Sequence, residues 1–152
     1  MKKRIAALLL SALLLSTASL FVACKEDKPQ TDITPSVRTT TLEEISASYI
    51  FLLKGGENTG LNTSSQSLIE NILRAYNGAE ISAAPAGTVM DAATVITVTF
   101  ITEDGQVVFS VDEKGTCRLN NGETLYVMTD TFTLHRTLLT VYSTLEDAAM
   151  EG

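Results

Sequence analysis

Three residue types with broad chemical uses are scarce in this chain of 152 residues. It has no Trp, one His and 2 Cys. Every Ser-His-Asp, Cys-His or histidine-containing zinc arrangement would therefore have to use His135, and no Gly-x-Ser-x-Gly elbow presents a serine. Without Trp, a carbohydrate-stacking platform has no specific support, and we expect the few Phe and Tyr side chains to pack in the core.

The first 23 residues contain an apolar run that is short for a membrane span. A cationic start, Met1 to Arg4, precedes an apolar run from Ile5 to Leu15 and a more polar stretch from Ser16 to Ala23. This order is typical of a secretory signal peptide, and the apolar run falls short of the ~20 residues that a helix needs to cross the hydrocarbon core. We therefore assign residues 1–23 to a signal peptide.

The residues before Cys24 indicate where this peptide is cleaved. Phe21-Val22-Ala23-Cys24 resembles the lipobox of bacterial lipoproteins, in which a large apolar residue, a small or β-branched residue and Gly, Ala or Ser precede an invariant cysteine; Phe21 stands where Leu is usual. The resemblance implies cleavage between Ala23 and Cys24, acylation of Cys24, and a mature chain held on a membrane by its lipid. We expect a location in the cell envelope, outside the cytoplasm, and on the outer membrane or cell surface if the host is Gram-negative.

Two other readings of this region stay open. Ser16-Thr17-Ala18 supplies the small residues that ordinary signal peptidase requires, and cleavage there would release a soluble protein in which a Cys24–Cys117 disulfide becomes conceivable. An uncleaved anchor from Ile5 to Ala23 is the third reading, although four Ser and Thr residues dilute it. If Cys24 is acylated, Cys117 is an unpaired thiol, which we expect to be a small buried apolar residue.

Basic residues become scarce once the signal peptide is removed. Loss of Lys2, Lys3 and Arg4 from the 11 basic residues leaves 8 against 18 acidic ones, a net charge of −10. A chain this acidic repels nucleic acid, anionic headgroups and anionic wall polymers, so we expect none of these as direct partners. Cationic partners and metal ions remain compatible with the charge, although solubility alone accounts for it.

Residues 24–41 are predicted to form the lipidated N-terminus and a flexible tether. The stretch from Lys25 to Thr41 is polar, contains Pro29 and Pro35, and has neither helical nor strand periodicity. Lys25-Glu26-Asp27 is similar to the Lys-acidic-acidic export signal of surface lipoproteins in Bacteroidetes, and it fits a solvated charged linker equally well.

One small domain is predicted over residues 42–145. It begins with a strand over 48–53 and a loop from Gly55 to Asn62. A helix follows, from a capping box with Thr63 as N-cap and Gln66 at its third position to a stop at Asn77-Gly78. Its apolar face comprises Leu68, Ile69, Ile72, Leu73 and Tyr76. We assign residues 79–93 to a loop.

A run of strands with alternating apolar residues follows. They cover 95–101, 106–111, 116–119 and 124–128, with turns at Asp104-Gly105, Asp112 to Gly115 and Asn120 to Gly122. A final helix begins after Thr129 or Asp130, and residues 146–152 form a frayed tail. The predicted fold class is α+β, an antiparallel meander of four to five strands with two helices packed on one face. The place of the first strand in the sheet is left open.

No motif of the mature chain supplies a complete catalytic or metal site. Gly55 and Gly60 have the spacing of a phosphate-binding loop, but Leu61 and Asn62 stand where the lysine and the hydroxyl are needed. The pairs Glu103-Asp104 and Asp112-Glu113 lie in predicted turns and do not match the spacing of a calcium loop. We therefore expect no cofactor, no metal and no enzymatic activity.

These patterns indicate a membrane-anchored lipoprotein of the cell envelope whose domain is a binding or interaction module for an envelope protein or peptide. An exposed strand edge would offer one docking mode. A first alternative is an enzyme that uses Cys117 with His135, which requires the thiol to lie within hydrogen-bond reach of the imidazole. A second alternative is a structural accessory of an envelope complex.

Overall fold

The computed structural model describes residues 38–57, 59–129 and 133–151. Within these ranges the chain forms eight strands and two helices. The helices are α1 (Gln66–Asn77) and α2 (Thr133–Met150). The strands are β1 (Thr40–Thr41), β2 (Tyr49–Lys54), β3 (Leu61–Thr63), β4 (Glu80–Ala83), β5 (Ile96–Thr102), β6 (Gly105–Val111), β7 (Thr116–Leu119) and β8 (Leu125–Met128).

The strands form one antiparallel sheet with the order β1-β4-β8-β7-β6-β5-β2-β3. Strands β5 to β8 are neighbours in chain order, which is the predicted meander. Strand β2 pairs with β5 along its whole length, from Tyr49 opposite Ile101 to Lys54 opposite Ile96. The α+β class is thus confirmed, and the first predicted strand joins the sheet beside β5.

The sheet has eight strands, so the prediction of four to five was wrong. The three missed strands are β1, which lies at the end of the predicted tether, and β3 and β4, which lie in predicted loops. Each has only 2 to 4 residues, too few to show a period of two in the sequence. Their neighbours hold them in place, for example through the pairing of Ile81 with Met128.

Helix α1 packs its predicted apolar face on the sheet. Ile69, Ile72 and Tyr76 are buried, and the Tyr76 ring lies 5.0 Å from the centroid of Phe100 and 5.4 Å from that of Phe109. The predicted capping box was wrong, because Thr63 is the last residue of β3 and Ser65 is the N-cap. The Thr63 hydroxyl instead accepts a hydrogen bond from the backbone N–H of Ser65, at 3.0 Å.

Helix α2 buries Leu134, Leu138, Val141 and Tyr142. It continues to Met150, so residues 146–150, assigned above to a frayed tail, are helical. The helix accommodates its threonines because several of their hydroxyl groups donate a hydrogen bond to the carbonyl oxygen four residues earlier. The bond from Thr137 to Thr133, at 2.8 Å, is an example. Neither described helix combines the length and apolarity required to cross a membrane.

The turns follow the sequence closely, with one shift. The turn between β5 and β6 consists of Glu103 and Asp104, and Gly105 already belongs to β6. Asn120 and Asn121 make the turn between β7 and β8, with φ values of 49° and 56°. Asn tolerates this left-handed conformation better than most residues, which explains the pair at this position.

A single core joins both helices to one face of the sheet, which we call the inner face. Its buried strand residues alternate along β2, β4, β5, β6, β7 and β8 with residues that point the other way. They are Ile50, Leu52, Ile81, Ile96, Val98, Phe100, Phe109, Val111, Cys117 and Met128. The Asn77 side chain at the end of α1 fastens the segment before β2 to this core, with hydrogen bonds to the N–H and C=O of Ile45 at 3.0 and 2.9 Å.

Candidate functional site

The processing site predicted from the sequence, Ala23 and Cys24, lies outside the described residues. Lipidation of Cys24 and cleavage before it therefore stay predictions.

Cys117 and His135, the pair required by a thiol enzyme, occupy separate environments. Cys117 lies on the inner face with no exposed surface, and burial, helped by the charge of Asp112, raises the pKa of its thiol to about 12. His135 uses Nε2 to donate a hydrogen bond to the carbonyl oxygen of Thr94, at 2.9 Å. No hydrogen bond joins the thiol to the imidazole within the described part of the chain, so the contact that nucleophile activation needs is not formed.

The segment with phosphate-loop spacing joins two strands. Gly55 and Gly56 turn the chain after β2, and Leu61 begins β3. The absence of a Cβ at Gly55 has a packing reason, because an added Cβ would lie 2.2 Å from the carbonyl oxygen of Ala92. The backbone N–H of Gly55 donates to Val95 at 2.7 Å. Gly55 therefore serves a close approach between two backbone segments.

Asp112 is the carboxylate with the most specific structural role. It is fully buried, and its two oxygens accept hydrogen bonds from the backbone N–H groups of Asp91, Lys114 and Thr116, at 2.9, 3.0 and 2.8 Å. Asp112 thus fixes the turn between β6 and β7 and ties it to the loop before β5. Among the described residues, no group of three or more His, Cys, Asp or Glu side chains is arranged to hold a metal ion.

A second polar cluster fastens the loop after β2 to helix α2. The Tyr142 hydroxyl donates to the Glu57 carboxylate, and Lys54 pairs with Glu57 at 3.2 Å while lying 5.4 Å from the centroid of the Tyr142 ring. The bond to Glu57, together with burial, raises the pKa of Tyr142 to about 12, and the same bond lowers the pKa of Glu57. Because 85 residues separate the partners, the sequence carries no local signal of this contact.

The face of the sheet opposite the helices is a broad surface with little charge. The alternation that buries Phe100 and Val98 turns Ile101 and Thr99 outward. Tyr49 and Phe51 are each 37% exposed, and their neighbours are half-buried. We call this surface the open face; its less buried members are Tyr49, Phe51, Leu53, Thr97, Thr99, Ile101, Val108, Arg118, Leu125 and Val127. The same register turns Ser82, Ser110 and Thr116 to this side, and all three are buried, so the face is covered in part.

Charged residues are almost excluded from the open face. Among the described strands the sole acidic residue is Glu80, in β4 near the sheet edge. Arg118 is the one basic residue that the described strands turn to the open face, where the register places it between Ser110 and Leu125. Glu80 points to the same side, because its neighbour Ile81 lies on the inner face. Its Nε atom is buried and has no hydrogen-bond partner among the described residues. The open face therefore combines apolar and hydroxyl side chains, and Arg118 has no ion pair there among the described residues.

Comparison with known proteins gives no relative from which a function could be transferred. No family model, curated protein or solved structure matches the chain.

Proposed function

We propose that this protein is a membrane-anchored lipoprotein of the cell envelope, tethered through acylated Cys24, whose domain binds a partner protein on the open face. The observation that carries the proposal is a sheet face with exposed aromatic side chains and few charges, on a mature chain with a net charge of −10. Anchor and face have separate tasks, because the lipid keeps the domain at a membrane and the face selects what it binds.

The composition of the open face fits a binding surface. Soluble domains rarely expose contiguous apolar patches, and those that do commonly use them for association. The cores of protein interfaces are depleted in acidic residues and Lys and enriched in Tyr, Phe and Arg. The open face has Tyr49, Phe51 and Arg118, and its sole acid among the described strands is Glu80, near the sheet edge. Acidic residues are thus rare on this face although the chain has 18 of them.

The charge on the open face indicates what kind of partner fits. Docking of an apolar surface would remove water from the Arg118 guanidinium, so a stable complex needs a carboxylate of the partner against it. Two copies of this chain placed face to face would bring two Arg118 side chains together, and the sole acid that the described strands turn to this face is Glu80, near the sheet edge. A different protein, with an apolar surface that carries an Asp or Glu, is the better complement.

The sheet edges are less suited to binding than the open face. The outermost strands are β1, with 2 residues, and β3, with 3. Strands this short present few free backbone groups for an added peptide strand. We therefore place the docking surface on the open face instead of the strand edge considered in the sequence analysis.

The anchor is tested by metabolic labelling of the native host with a fatty-acid analogue. Wild-type protein is expected to carry label and to fractionate with membranes, since two or more acyl chains give stable attachment. Cys24→Ala should abolish the label and leave an unprocessed precursor. Label that persists in Cys24→Ala would contradict the acylation of Cys24, and so would cleavage of the wild-type chain after Ala18.

The partner is tested by photocrosslinking in the same host, with the crosslinking residue placed at Val108 on the open face or at Ser67 on the exposed side of α1. We expect a defined adduct from Val108 alone, weakened by Arg118→Glu and restored when an acidic residue of the captured protein near the crosslink is changed to Arg. Equal capture from both positions, or an adduct with a second copy of this chain, would contradict the proposal.

A further inference from the structure

A groove of about 420 Å³ lies between the solvent-facing sides of the two helices. Helix α1 contributes Asn71 and Arg74, and helix α2 contributes Arg136, Thr137 and Thr140. The groove lies on the far side of the helices from the sheet, so it is a separate surface from the open face. One arginine from each helix lines it.

Neither arginine has a counter-ion among the residues that the structure describes. In the described ranges the ion pairs are Lys54 with Glu57 and Lys114 with Asp91, and the side chains of Arg74 and Arg136 take no part in an ion pair or hydrogen bond there. The mature chain has 18 acidic residues and only 8 basic ones. Two arginines without an ion pair among the described residues therefore line one groove on an acidic molecule.

The hydroxyl groups of Thr137 and Thr140 provide hydrogen-bond acceptors in the groove. Thr137 donates its proton to the carbonyl of Thr133 at 2.8 Å, and Thr140 donates to the carbonyl of Arg136 at 2.9 Å. Their oxygens can then only accept hydrogen bonds from a ligand. Donation to a ligand falls to the guanidinium groups, whose planar fork suits a carboxylate or phosphate.

We propose that this groove is a binding site for a small anion that also carries hydroxyl groups, the chemistry of a sugar acid or a sugar phosphate. The anionic group lies between Arg74 and Arg136, and the ligand hydroxyls donate to Thr137 and Thr140. The two positive charges attract an anion, which gives it an advantage that a neutral sugar lacks.

The test is an NMR titration of the mature chain carrying Cys24→Ser with glucuronate, glucose 6-phosphate, inorganic phosphate and glucose. Glucuronate and glucose 6-phosphate are expected to shift resonances of groove residues, inorganic phosphate to bind more weakly, and glucose to have no effect. If phosphate alone binds as tightly as the two sugar anions, the threonines contribute nothing and the stated ligand class is overturned. Binding of glucose, or no response to any anion, overturns the site.

Matched variants separate the site from general electrostatics. R74Q and R136Q should each weaken glucuronate binding by about tenfold or more, because each removes charge-assisted hydrogen bonds. R38Q removes the same charge from an exposed residue outside the groove and should leave binding nearly unchanged. R74K and R136K keep the charge and serve as second variants if a glutamine destabilises the helix. Equal weakening in R38Q and R74Q would overturn the proposal.

Discussion

Apolar side chains on the two faces of the sheet differ in how far they are exposed to water. Both alternate with a period of two and both contain Ile, Val and Phe, yet Phe100 and Phe109 on the inner face have no exposed surface while Phe51 on the open face is 37% exposed. The difference arises because α1 and α2 cover only one side. Alternation therefore assigns each strand residue to one of two faces, and the face that the helices cover becomes the core.

The largest expected effect comes from truncating an aromatic residue on each face. Phe109→Ala should lower the free energy of unfolding by about 3–5 kcal/mol, because it leaves a cavity under α1. Phe51→Ala should cost less than about 1 kcal/mol, since its ring already contacts water. Urea denaturation of the mature chain carrying Cys24→Ser measures both. Equal losses would show that the open face is as tightly packed as the inner face.

The next effect concerns the turn that joins β6 to β7 at the end of the inner face. Asp112→Ala leaves three backbone N–H groups without their acceptor, and we expect a loss of about 2–4 kcal/mol in unfolding free energy. The exposed neighbour Glu113 is the matched control, and Glu113→Ala should change stability by less than about 0.5 kcal/mol. Similar values for the two variants would contradict the role given to Asp112.

A smaller loss is expected from the close approach at Gly55. In Gly55→Ala the new methyl group meets the carbonyl oxygen of Ala92, so the loop before β5 has to move, at a cost of about 1–3 kcal/mol. Thermal unfolding followed by circular dichroism measures the change. A variant as stable as the wild type would mean that the two backbone segments are farther apart than described.

The smallest effect is the pH dependence of the contact between α2 and the loop after β2. Because the folded-state pKa of Tyr142 is raised from about 10 to about 12, its bond to Glu57 contributes stability below pH ~10 and loses it as the pH rises toward 12. The pKa of Glu57 is lowered, so the same contribution is lost again as the pH falls below the ordinary range of a carboxyl group.

Comparison of wild type with Tyr142→Phe isolates this contact. The difference in unfolding free energy should be greatest near neutral pH and shrink at both extremes, and the absorbance titration of the folded protein should lose its last tyrosine transition. A Tyr142→Phe protein that keeps a tyrosine transition near pH 12 would show that another tyrosine has the highest pKa.

The sequence predicts the long elements of this fold because they repeat a period. Strand β5 has seven residues and α1 twelve, enough for a pattern to stand out. Strands β1, β3 and β4 exist because neighbouring strands supply hydrogen bonds, and no local pattern records that. The capping box at Thr63 failed for the same reason, since pairing of Thr63 with Ile50 extends β3 into the predicted helix start.

The candidate sites were harder to predict than the fold. The register of β5 with β6 puts Thr99 and Val108 on one face, but the sequence does not show that no helix packs on that face. The groove depends on Arg74 and Arg136 from helices far apart in the chain, so sequence spacing gives no sign that they meet. Cys117 was correctly expected to be buried, because a small unpaired thiol in a strand next to apolar neighbours is usually part of the core.

Hydroxyl-radical footprinting of the protein in intact cells and after purification is the most direct test of the open face as a binding surface. Tyr49 and Phe51 on that face, and Met150 on α2, are exposed in the isolated domain and provide the readout. We predict that Tyr49 and Phe51 are labelled less in cells than after purification, while the labelling of Met150 does not change. Equal labelling of Phe51 in cells and in the purified protein would contradict the proposed function.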